Sequence, residues 1–581
     1  MTFSPPAPIF APTVDAFKQA GDPDDTLSFT RGYAAGFTRL YGTPGKIYTV
    51  NGVVLNGVQF DGRGCIVRDA AGAPFCFQLT GWQPGIWDVL FQDQGNVAKV
   101  TTNVGGLAPG ATALTVAAGT GLAAGQMVLI QDSATVWDQT QIAGVAGTAV
   151  TLNQGAAAAA TAGLAVVASF GLVNVTDSYY PTLRDLVFVN CDVGIVLASS
   201  ADATNIVDPI VENIRVDSSR YCSLAIYRSV HGLALAKATL GNGVTDTFNY
   251  TGNNSAGPFS IGYANDLIRD VTVTVAGVAQ VYGTAWNFAD DTHIQFLAGH
   301  FPGVGAAVVI NHYHPAVRGM IHDSRGGSSL TPAGNTFENV RALKCMIGFD
   351  FNAAQADSYV GLIADTCMMA GVALTNIPNQ ITFVDLYATW SRTPVQVVNS
   401  GQIVLDSLTS SLILAGQFNP YLGVNVEISA DATSYVDVNV ANWRSVTFTM
   451  GGAGNVVLHG GFTFAFNSAT QMTAGQSAYL GQSGQVSVNS PIDFVQYNGF
   501  ILAFFAKVNT APGVGQSVTF NLIEDANGVP KTLASVVISG TNYSAALAAP
   551  VTFDALSWLS VQAVYSAGAA TSYPLGYFLR R

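Results

Sequence analysis

Apolar and polar residues alternate in short runs through 330–414, and similar runs recur about every 20 to 25 residues. Residues 345–351 read Cys-Met-Ile-Gly-Phe-Asp-Phe, and 367–374 repeat this loosely as Cys-Met-Met-Ala-Gly-Val-Ala-Leu. A third copy, Cys-Asp-Val-Gly-Ile-Val-Leu, occupies 191–197. Two-residue alternation is the period of a β-strand, and self-similarity at this interval is typical of a solenoid. The pattern therefore predicts stacked β-coils, each of which buries its inward face against its neighbours.

The cysteines of these copies, Cys191, Cys345 and Cys367, recur at one position of the repeat. Unpaired cysteine is among the most frequently buried residue types, so we predict that all three are core residues. The chain has six cysteines and no Cys-x-x-Cys pair, which argues against a disulfide framework and against zinc. We expect no metal and no cofactor.

A small group of histidines is the strongest candidate for a metal site. His312 and His314 would share one face of a strand, and Asp323 could supply a third ligand. The favoured alternative is that these histidines lie at the surface of a loop that leaves an inserted module.

Composition and charge narrow the class of protein. Half of the chain is hydrophobic (49%), only 10% is charged, and glycine numbers 61, which suits a folded, β-rich chain with many turns. The net charge of −13 at pH 7 disfavours nucleic acid and anionic lipid as partners. The N-terminus has no secretory signal pattern. Residues 155–175 are uncharged, but Ala, Gly and Thr drive membrane insertion poorly, so no membrane span is predicted.

Three segments resemble known modules. After Asp24-Asp25-Thr26 and a predicted short helix, residues 56–64 read Asn-Gly-Val-Gln-Phe-Asp-Gly-Arg-Gly, which resembles the opening of pectate-lyase-like right-handed β-helices. Bacteriophage tailspikes use that fold widely. The alternating strands of 271–296 resemble small β-sandwich modules of phage tail fibres. Residues 511–540, from Ala-Pro-Gly-Val-Gly-Gln-Ser to Ile-Ser-Gly, resemble the C-terminal jelly-roll modules of tailspikes.

Periodicity and resemblance together predict an all-β chain, namely a right-handed parallel β-helix with inserted small β-modules and a C-terminal, jelly-roll-like β-sandwich. The predicted boundaries are an N-terminal arm at 1–20, the start of the β-helix at 21–96, an inserted small β-domain at 97–170, coils at 171–234, an inserted β-sandwich module at 235–317, coils at 318–430, a connector with short strands at 431–489 and the C-terminal sandwich at 490–581.

The resemblance implies a phage tailspike or tail fibre receptor-binding protein. Such a protein would be made in the host cytoplasm, assemble as a homotrimer, contact other virion proteins through its N-terminal arm and recognise host surface polysaccharide, with or without cleaving it. One alternative is a non-enzymatic structural fibre or adhesin that only binds glycan. A second is a secreted pectate-lyase-like enzyme, which the missing signal peptide and the two insertions disfavour.

Cleavage by hydrolysis needs two carboxylates about 5 to 9.5 Å apart, a separation that neighbouring coils, spaced by about 4.8 Å, could supply. The candidates in the coils are Asp217, Glu338, Asp350, Asp357, Asp365 and Asp385, and we predict Glu338, Asp350 and Asp365 as catalytic. The ordinary alternative is that these are turn formers or solvated surface carboxylates. A lyase would instead use groups such as Arg325, Arg341 and Lys344.

Aromatic and basic residues near the end of the repeat suggest a sugar platform. An aromatic face can stack on a pyranose ring, and arginine can donate hydrogen bonds to hydroxyl or carboxylate groups. We predict glycan binding by Tyr387, Trp390, Arg392 and Arg341. The alternative for these side chains is packing in the core or in a trimer interface.

Overall fold

The computed structural model describes residues 12–94, 98–132, 137–156, 159–199, 205–227, 230–261, 268–290, 292–325, 334–354, 358–412, 428–443, 450–452, 455–458, 462–467, 471–480, 486–487, 493–495, 499–526, 529–546, 551–553 and 557–580. Within these ranges, helix is confined to the α-helix Thr26–Ala34 and the 3-10 turns Val14–Phe17 and Ile268–Asp270. No helix in the described part of the chain has both the length and the apolar character needed to cross a membrane.

Two long parallel sheets form the β-helix. Sheet A has seventeen strands. They are Arg39–Tyr41, Ile47–Val50, Gln59–Asp69, Gly85–Gln92, Thr182–Val189, Ile210–Val216, Ala234–Ala236, Thr239–Gly241, Thr336–Glu338, Arg341–Leu343, Ser358–Val360, Ile363–Asp365, Ile381–Val384, Leu386–Ser391, Gln402–Leu412, Tyr435–Trp443 and Asn455–Leu458. Sheet B has thirteen strands. They are Val53–Asn56, Phe77–Trp82, Val173–Tyr179, Cys191–Ala198, Ile206–Val207, Ser219–Tyr227, Val230–His231, Ala316–Asp323, Cys345–Asn352, Ala370–Thr375, Thr393–Val398, Ile428–Ala430 and Met450–Gly452.

The interior of the β-helix is a column of stacked apolar side chains. Phe337, Tyr359 and Phe383 lie on successive coils, with ring centroids 4.8 and 4.7 Å apart and nearly parallel planes. Cys345 and Cys367 are fully buried in the same core. Cys191 is also buried there, so the prediction that the repeat cysteines are core residues is confirmed.

Corner positions carry the residues that tolerate a left-handed backbone. Asp185, Asn213 and Asn339 have φ values of 54°, 55° and 55°. Asx side chains adopt this region more readily than other non-glycine residues, which suits them to these corners.

The first inserted module is a six-stranded antiparallel sheet. Its strands are Lys99–Thr102, Ala113–Thr115, Met127–Gln131, Trp137–Ala146, Ala149–Leu152 and Ala165–Ser169. Met127, Leu129 and Val167 pack against outward side chains of sheet B, such as Cys222 and Ile321. The module therefore covers part of the outer face of the β-helix.

The second inserted module pairs a four-stranded and a three-stranded antiparallel sheet around one apolar core. The four-stranded sheet comprises Val244–Thr251, Val271–Val275, Val278–Gln280 and Ala307–His314, and the three-stranded sheet comprises Phe259–Ser260, Trp286–Phe288 and His293–Phe296.

The C-terminal part is a sandwich of two antiparallel sheets that share one apolar core. One sheet comprises Phe462–Asn467, Gly499–Val508, Ser544–Ala546, Val551–Phe553 and Pro574–Arg580. The other comprises Ser477–Leu480, Val486–Ser487, Asp493–Val495, Gly513–Ala526, Val529–Gly540 and Ser557–Tyr565. The predicted class, a parallel β-helix with inserted β-modules and a C-terminal sandwich, is confirmed.

Several boundaries differ from the predicted ones. The three-residue strands Ala234–Ala236 and Thr239–Gly241 belong to sheet A, so the strands of the second module span 244–314 and not 235–317. The predicted connector at 431–489 contains β-helix strands as far as Leu458, after which Phe462–Asn467 and Ser477–Leu480 already pair within the sandwich. At the other end, Val14 of the predicted arm is buried in the β-helix core. These pairings join segments that are distant in sequence, which local periodicity does not reveal.

Candidate functional site

The three carboxylates predicted as catalytic lie on two different sheets. Glu338 is exposed on sheet A, where its neighbours in register are Ala236 and Val360. Asp365 is half-buried on sheet A, and its Oδ1 accepts hydrogen bonds from the hydroxyls of Thr366 at 3.0 Å and Thr389 at 3.5 Å.

Asp350 lies on the other sheet and is buried. The expectation that it is a solvated surface carboxylate is wrong, because Arg318 Nε donates a hydrogen bond of 2.6 Å to its Oδ2 and the pair is enclosed. The side chain does face outward, but the outward surface of sheet B is itself largely covered. Of the other candidates, Asp217 is paired with Arg215, Asp385 is an exposed corner residue, and Asp357 lies outside the described residues.

The residues predicted to bind glycan lie on sheet A and at the corner that follows it. Arg341, Ile363 and Tyr387 lie in register on successive coils. Trp390 is at the corner that follows this strand, and its backbone is left-handed, with a φ of 52°. Lys344 and Thr366 occupy the same corner on the two preceding coils and also have a left-handed backbone. Arg392 is half-buried just beyond Trp390.

The second module reaches this corner and adds charged groups to it. The guanidinium of Arg269 lies 5.6 Å from the ring centroid of Trp390, and Lys344 Nζ lies 5.1 Å from that of Tyr313. Asp270 Oδ1 lies 3.8 Å from Arg269 Nε. We call these five residues, Arg269, Asp270, Tyr313, Lys344 and Trp390, the junction cluster.

Burial sets the protonation behaviour of the junction cluster. Desolvation raises the pKa of Asp270 to about 6, although Arg269 and Lys344 oppose this rise. Burial also raises the pKa of Tyr313. A carboxyl group that titrates near neutral pH, beside two cations and an aromatic face, can exchange a proton with a bound ligand or donate a hydrogen bond to it.

The histidines are not surface residues, so the favoured interpretation of them is wrong. His312 and His314 are buried on the strand Ala307–His314, and His312 Nδ1 lies 2.8 Å from the carbonyl oxygen of Ile261. Burial lowers the pKa of both. Asp323, the third residue of the metal alternative, bonds instead to Arg325 at 2.7 Å.

Sequence reasoning missed an exposed aromatic surface on the β-helix. Trp82, Tyr179 and Tyr180, which we call the aromatic trio, are 59%, 44% and 41% exposed. Trp82 and Tyr179 are in register on adjacent coils and stack with centroids 5.9 Å apart, and Tyr180 meets Trp82 edge-on at 5.1 Å. The whole first module separates these coils in the sequence.

One signal was available for the aromatic trio. Each coil here turns through the same short pattern, Trp82-Gln-Pro, then Tyr179-Tyr-Pro, then Val207-Asp-Pro. The backbone amides of Gln83, Tyr180 and Asp208 donate to the carbonyls of Tyr179, Val207 and His231 on the next coil, which makes this corner a continuous ladder. Aligning the prolines would have placed the aromatic residues together.

Comparison with known proteins gives matches only among solved structures. No protein-family profile and no curated protein matches the chain. The structure is similar to the Dettilon tailspike protein gp208, at 10% identity over 97% of this chain and 92% of that one, with a TM-score of 0.35. It is similar to the gp54 tailspike of Acinetobacter baumannii phage AP22, solved with a capsular saccharide, at 8% identity over 98% and 96% of the two chains, with a TM-score of 0.22.

A third similar structure is WceF of Pantoea stewartii, a glycan biofilm modifying enzyme with a tailspike-like parallel β-helix, at 7% identity over 97% of this chain and 61% of that one, with a TM-score of 0.23. All three TM-scores are below 0.5, so the parallel β-helix is established here by the strand pairing itself. These three structures are two tailspikes and a tailspike-like β-helix.

Proposed function

We propose that this chain is a bacteriophage spike that binds a polysaccharide on the host cell surface. The observation that carries the proposal is the aromatic trio. Burial of apolar surface stabilises a folded protein by about 25 cal/mol per Å², and three exposed aromatic side chains do not contribute this stabilisation. An exposed apolar patch of this kind is typical of a binding surface. Aromatic rings stack on the apolar faces of pyranose rings, while the phenol and indole edges remain free to form hydrogen bonds.

Polar groups continue the same column and support a sugar ligand over an apolar one. Val207 and His231 follow Tyr179 in register, and the exposed side chains of Gln83 and Asp208 flank the aromatic rings at the corner. Amide, carboxylate and imidazole groups beside an aromatic face match the alternating apolar and hydroxyl surfaces of a glycan. A capsular saccharide is the ligand named for the AP22 tailspike, and the proposal assigns that class to this chain.

The proposal includes the biological setting that the resemblance implies. The chain would be made in the host cytoplasm and incorporated in the virion tail as a homotrimer, with its N-terminal arm against other virion proteins. Native mass spectrometry tests the assembly, and a stable monomer would contradict it.

Cleavage of the bound polysaccharide is a second candidate function, and Asp270 favours it. A carboxyl group with a pKa near 6 is suited to act as a general acid or base at neutral pH. The junction cluster offers Trp390 as a platform and Lys344 and Arg269 as charge stabilisers. The competing candidate is a spike that binds glycan without cleaving it.

An array of bacterial capsular polysaccharides and lipopolysaccharide O-chains tests the binding function. We expect at least one polysaccharide to bind, and we expect Trp82→Ala and Tyr179→Ala to weaken that binding by about tenfold or more, as loss of an aromatic anchor does. Tyr543→Ala is the matched control, because Tyr543 is 55% exposed on the C-terminal sandwich. Unchanged binding by Trp82→Ala, or no binding by the wild type, would overturn the proposal.

The polysaccharide that binds is then incubated with the protein to test cleavage. Hydrolysis releases reducing ends, and elimination leaves an unsaturated uronate that absorbs ultraviolet light. If the junction cluster is catalytic, Asp270→Asn abolishes product formation while binding through the aromatic trio persists. A wild-type protein that binds the polymer and forms no product is a binding spike only.

A further inference from the structure

We infer that a second carbohydrate site exists where the first module meets the β-helix, and that it takes one neutral sugar unit. A cavity of about 280 Å³ lies between sheet B and the module. This is near the lower end of the range for small-molecule sites, about 300 Å³, and about nine times the volume of one water molecule in the liquid, about 30 Å³. We call it the neutral cavity.

The described wall of the neutral cavity carries no ionisable side chain. Amide and hydroxyl side chains line it together with apolar groups, and none of the lining residues in the described part of the chain is Asp, Glu, Lys, Arg or His. An ion bound in this cavity would lose its hydration shell and would find no opposite charge on these side chains to compensate for the loss, which is strongly unfavourable. The chemistry of the walls therefore selects an uncharged ligand.

A buried hydroxyl group lies on the wall of the neutral cavity without a partner. Ser199 is 1% exposed, and its Oγ has no hydrogen-bond partner within the described part of the chain. Buried polar groups in folded proteins are almost always hydrogen-bonded, and an unmade bond is costly. Because the Oγ is itself buried, a ligand hydroxyl completes this bond once the Ser199 side chain rotates toward the cavity.

The amides of the neutral cavity are held in fixed orientations. Asn174 donates to the carbonyl of Gly171 at 2.8 Å and accepts from its amide at 3.0 Å. Asn153 Nδ2 donates to Gln141 Oε1 at 2.7 Å, and Gln141 Nε2 donates to the carbonyl of Gly125 at 3.1 Å. Amides locked in this way lose little conformational entropy when a ligand uses their remaining lone pairs.

Aromatic rings complete the resemblance to a sugar site. Phe75 and Phe170 both line the neutral cavity, and their rings meet edge-on with centroids 5.8 Å apart. Fixed amides, an unpartnered hydroxyl and aromatic surface match the two kinds of surface on a neutral pyranose, its equatorial hydroxyls and its apolar C–H face.

The neutral cavity lies on the same coils as the aromatic trio. Gln78 of the cavity and Trp82 of the trio share the strand Phe77–Trp82, and Thr176 and Tyr179 share Val173–Tyr179. Four residues of strand span about 13 Å, so one branched or linear oligosaccharide can reach both surfaces. This connection rests on the proposed function, whereas the neutral cavity as a monosaccharide site does not.

The test uses the full chain and simple probes, the methyl glycosides of glucose, galactose and mannose, with methyl glucuronide as the charged counterpart. Saturation-transfer NMR and titration measure binding. We expect at least one neutral glycoside to bind and the glucuronide to bind at least about tenfold more weakly. Ser199→Ala should weaken binding by about fivefold to tenfold, the value of one hydrogen bond.

A blocking variant and its control keep the test independent of Ser199. Ala124 lines the neutral cavity and is exposed, so Ala124→Trp fills the mouth without a burial problem and should abolish glycoside binding. Ala118→Trp, at an exposed position of the same module that does not line the cavity, should bind as the wild type does.

Three outcomes would overturn the inference. They are a wild type that binds none of the three neutral glycosides, an Ala124→Trp variant that binds them unchanged, and a glucuronide that binds as tightly as the neutral probes. Failure of the proposed function is a separate result, because it is measured with polysaccharide and Trp82→Ala.

Discussion

The two inserted modules meet the β-helix through junctions of different chemistry. At the first junction, the charged side chains form a buried ion pair, and the cavity beside this pair is lined by neutral side chains. Arg325 bonds to Asp323 at 2.7 Å and donates to the carbonyls of Gln139 and Gly155 of the module, while the described lining of the neutral cavity beside it carries no ionisable side chain. At the second junction, the junction cluster presents charged groups at the surface, with Lys344 exposed and Arg269 half exposed.

The two junctions show where a β-helix with inserted modules can place charged groups that remain available to a ligand. Buried charges at the first junction are matched by partners within the chain, so they serve to dock the module. Charges at the second junction remain partly in water around Trp390, where a ligand can replace the water. Two modules on one scaffold thus create a neutral cavity and a charged surface.

The largest expected effect on the free energy of unfolding comes from the loss of the buried ion pair at the first junction. Arg325→Ala leaves the fully buried Asp323 without its cation, which should cost about 3–5 kcal/mol in the free energy of unfolding. The comparison is Arg220→Ala at the second junction, where Arg220 pairs with Asp246 at 2.8 and 2.9 Å but both side chains are partly exposed. That loss should be about 1 kcal/mol.

Urea unfolding measures both variants, and hydrogen exchange of the strand Met127–Gln131 reports whether the first module loosens. Equal losses for Arg325→Ala and Arg220→Ala would contradict the distinction between a buried and a solvated junction.

The second largest effect is a pH dependence of stability that arises from Asp270 in the junction cluster. The folded-state pKa of Asp270, about 6, is above the ordinary value of 3.8, so the folded protein binds this proton more tightly than the unfolded chain does. Stability is therefore fully present below about pH 4 and falls as the pH rises to about 6. Asp270→Asn removes the ionised form and should stabilise the protein on the order of 2 kcal/mol above that window, with little effect below it.

Asp290 of the same module supplies a control of opposite sign. Burial raises its pKa, but hydrogen bonds from the Thr292 amide and from His293 outweigh burial and lower the pKa overall. Asp290→Asn should therefore destabilise the protein at neutral pH. Melting temperatures of both variants across the acid range check the two signs, and a destabilising Asp270→Asn at about pH 8 would contradict the electrostatics of the junction cluster.

The smallest effect concerns Arg269. A cation over a partly exposed aromatic ring contributes about 0.5–1 kcal/mol, so Arg269→Ala should change stability by no more than this. Because Arg269 opposes the rise in the pKa of Asp270, its removal should move the pH at which stability falls to a higher value. The measurement is the pH at the midpoint of the fall in stability. A midpoint at lower pH in Arg269→Ala would contradict the prediction that Arg269 lowers the pKa of Asp270.

Local patterns predicted the parts of the fold that depend on neighbouring residues. Alternation with a recurring cysteine identified the coils and placed Cys345 and Cys367 in the core, because each inward position stacks on its equivalent in the next coil.

Non-local pairing determined what these patterns missed. Asp350 faces outward as its alternation indicates, yet it is buried, because the outer surface of sheet B is covered by other parts of the chain. Strands of three residues, such as Ala234–Ala236, are too short to show a period, so the limits of the second module were misplaced.

The repeat and its turn residues, read without coordinates, were sufficient for the architecture, since stacking in a solenoid involves only adjacent coils. The candidate sites needed the folded chain. Arg269 reaches Trp390, and Trp82 reaches Tyr179, only because insertions leave the β-helix and return to it. Burial by an inserted module then sets which carboxyl groups are paired and which titrate near neutral pH, and linear sequence carries no measure of that burial.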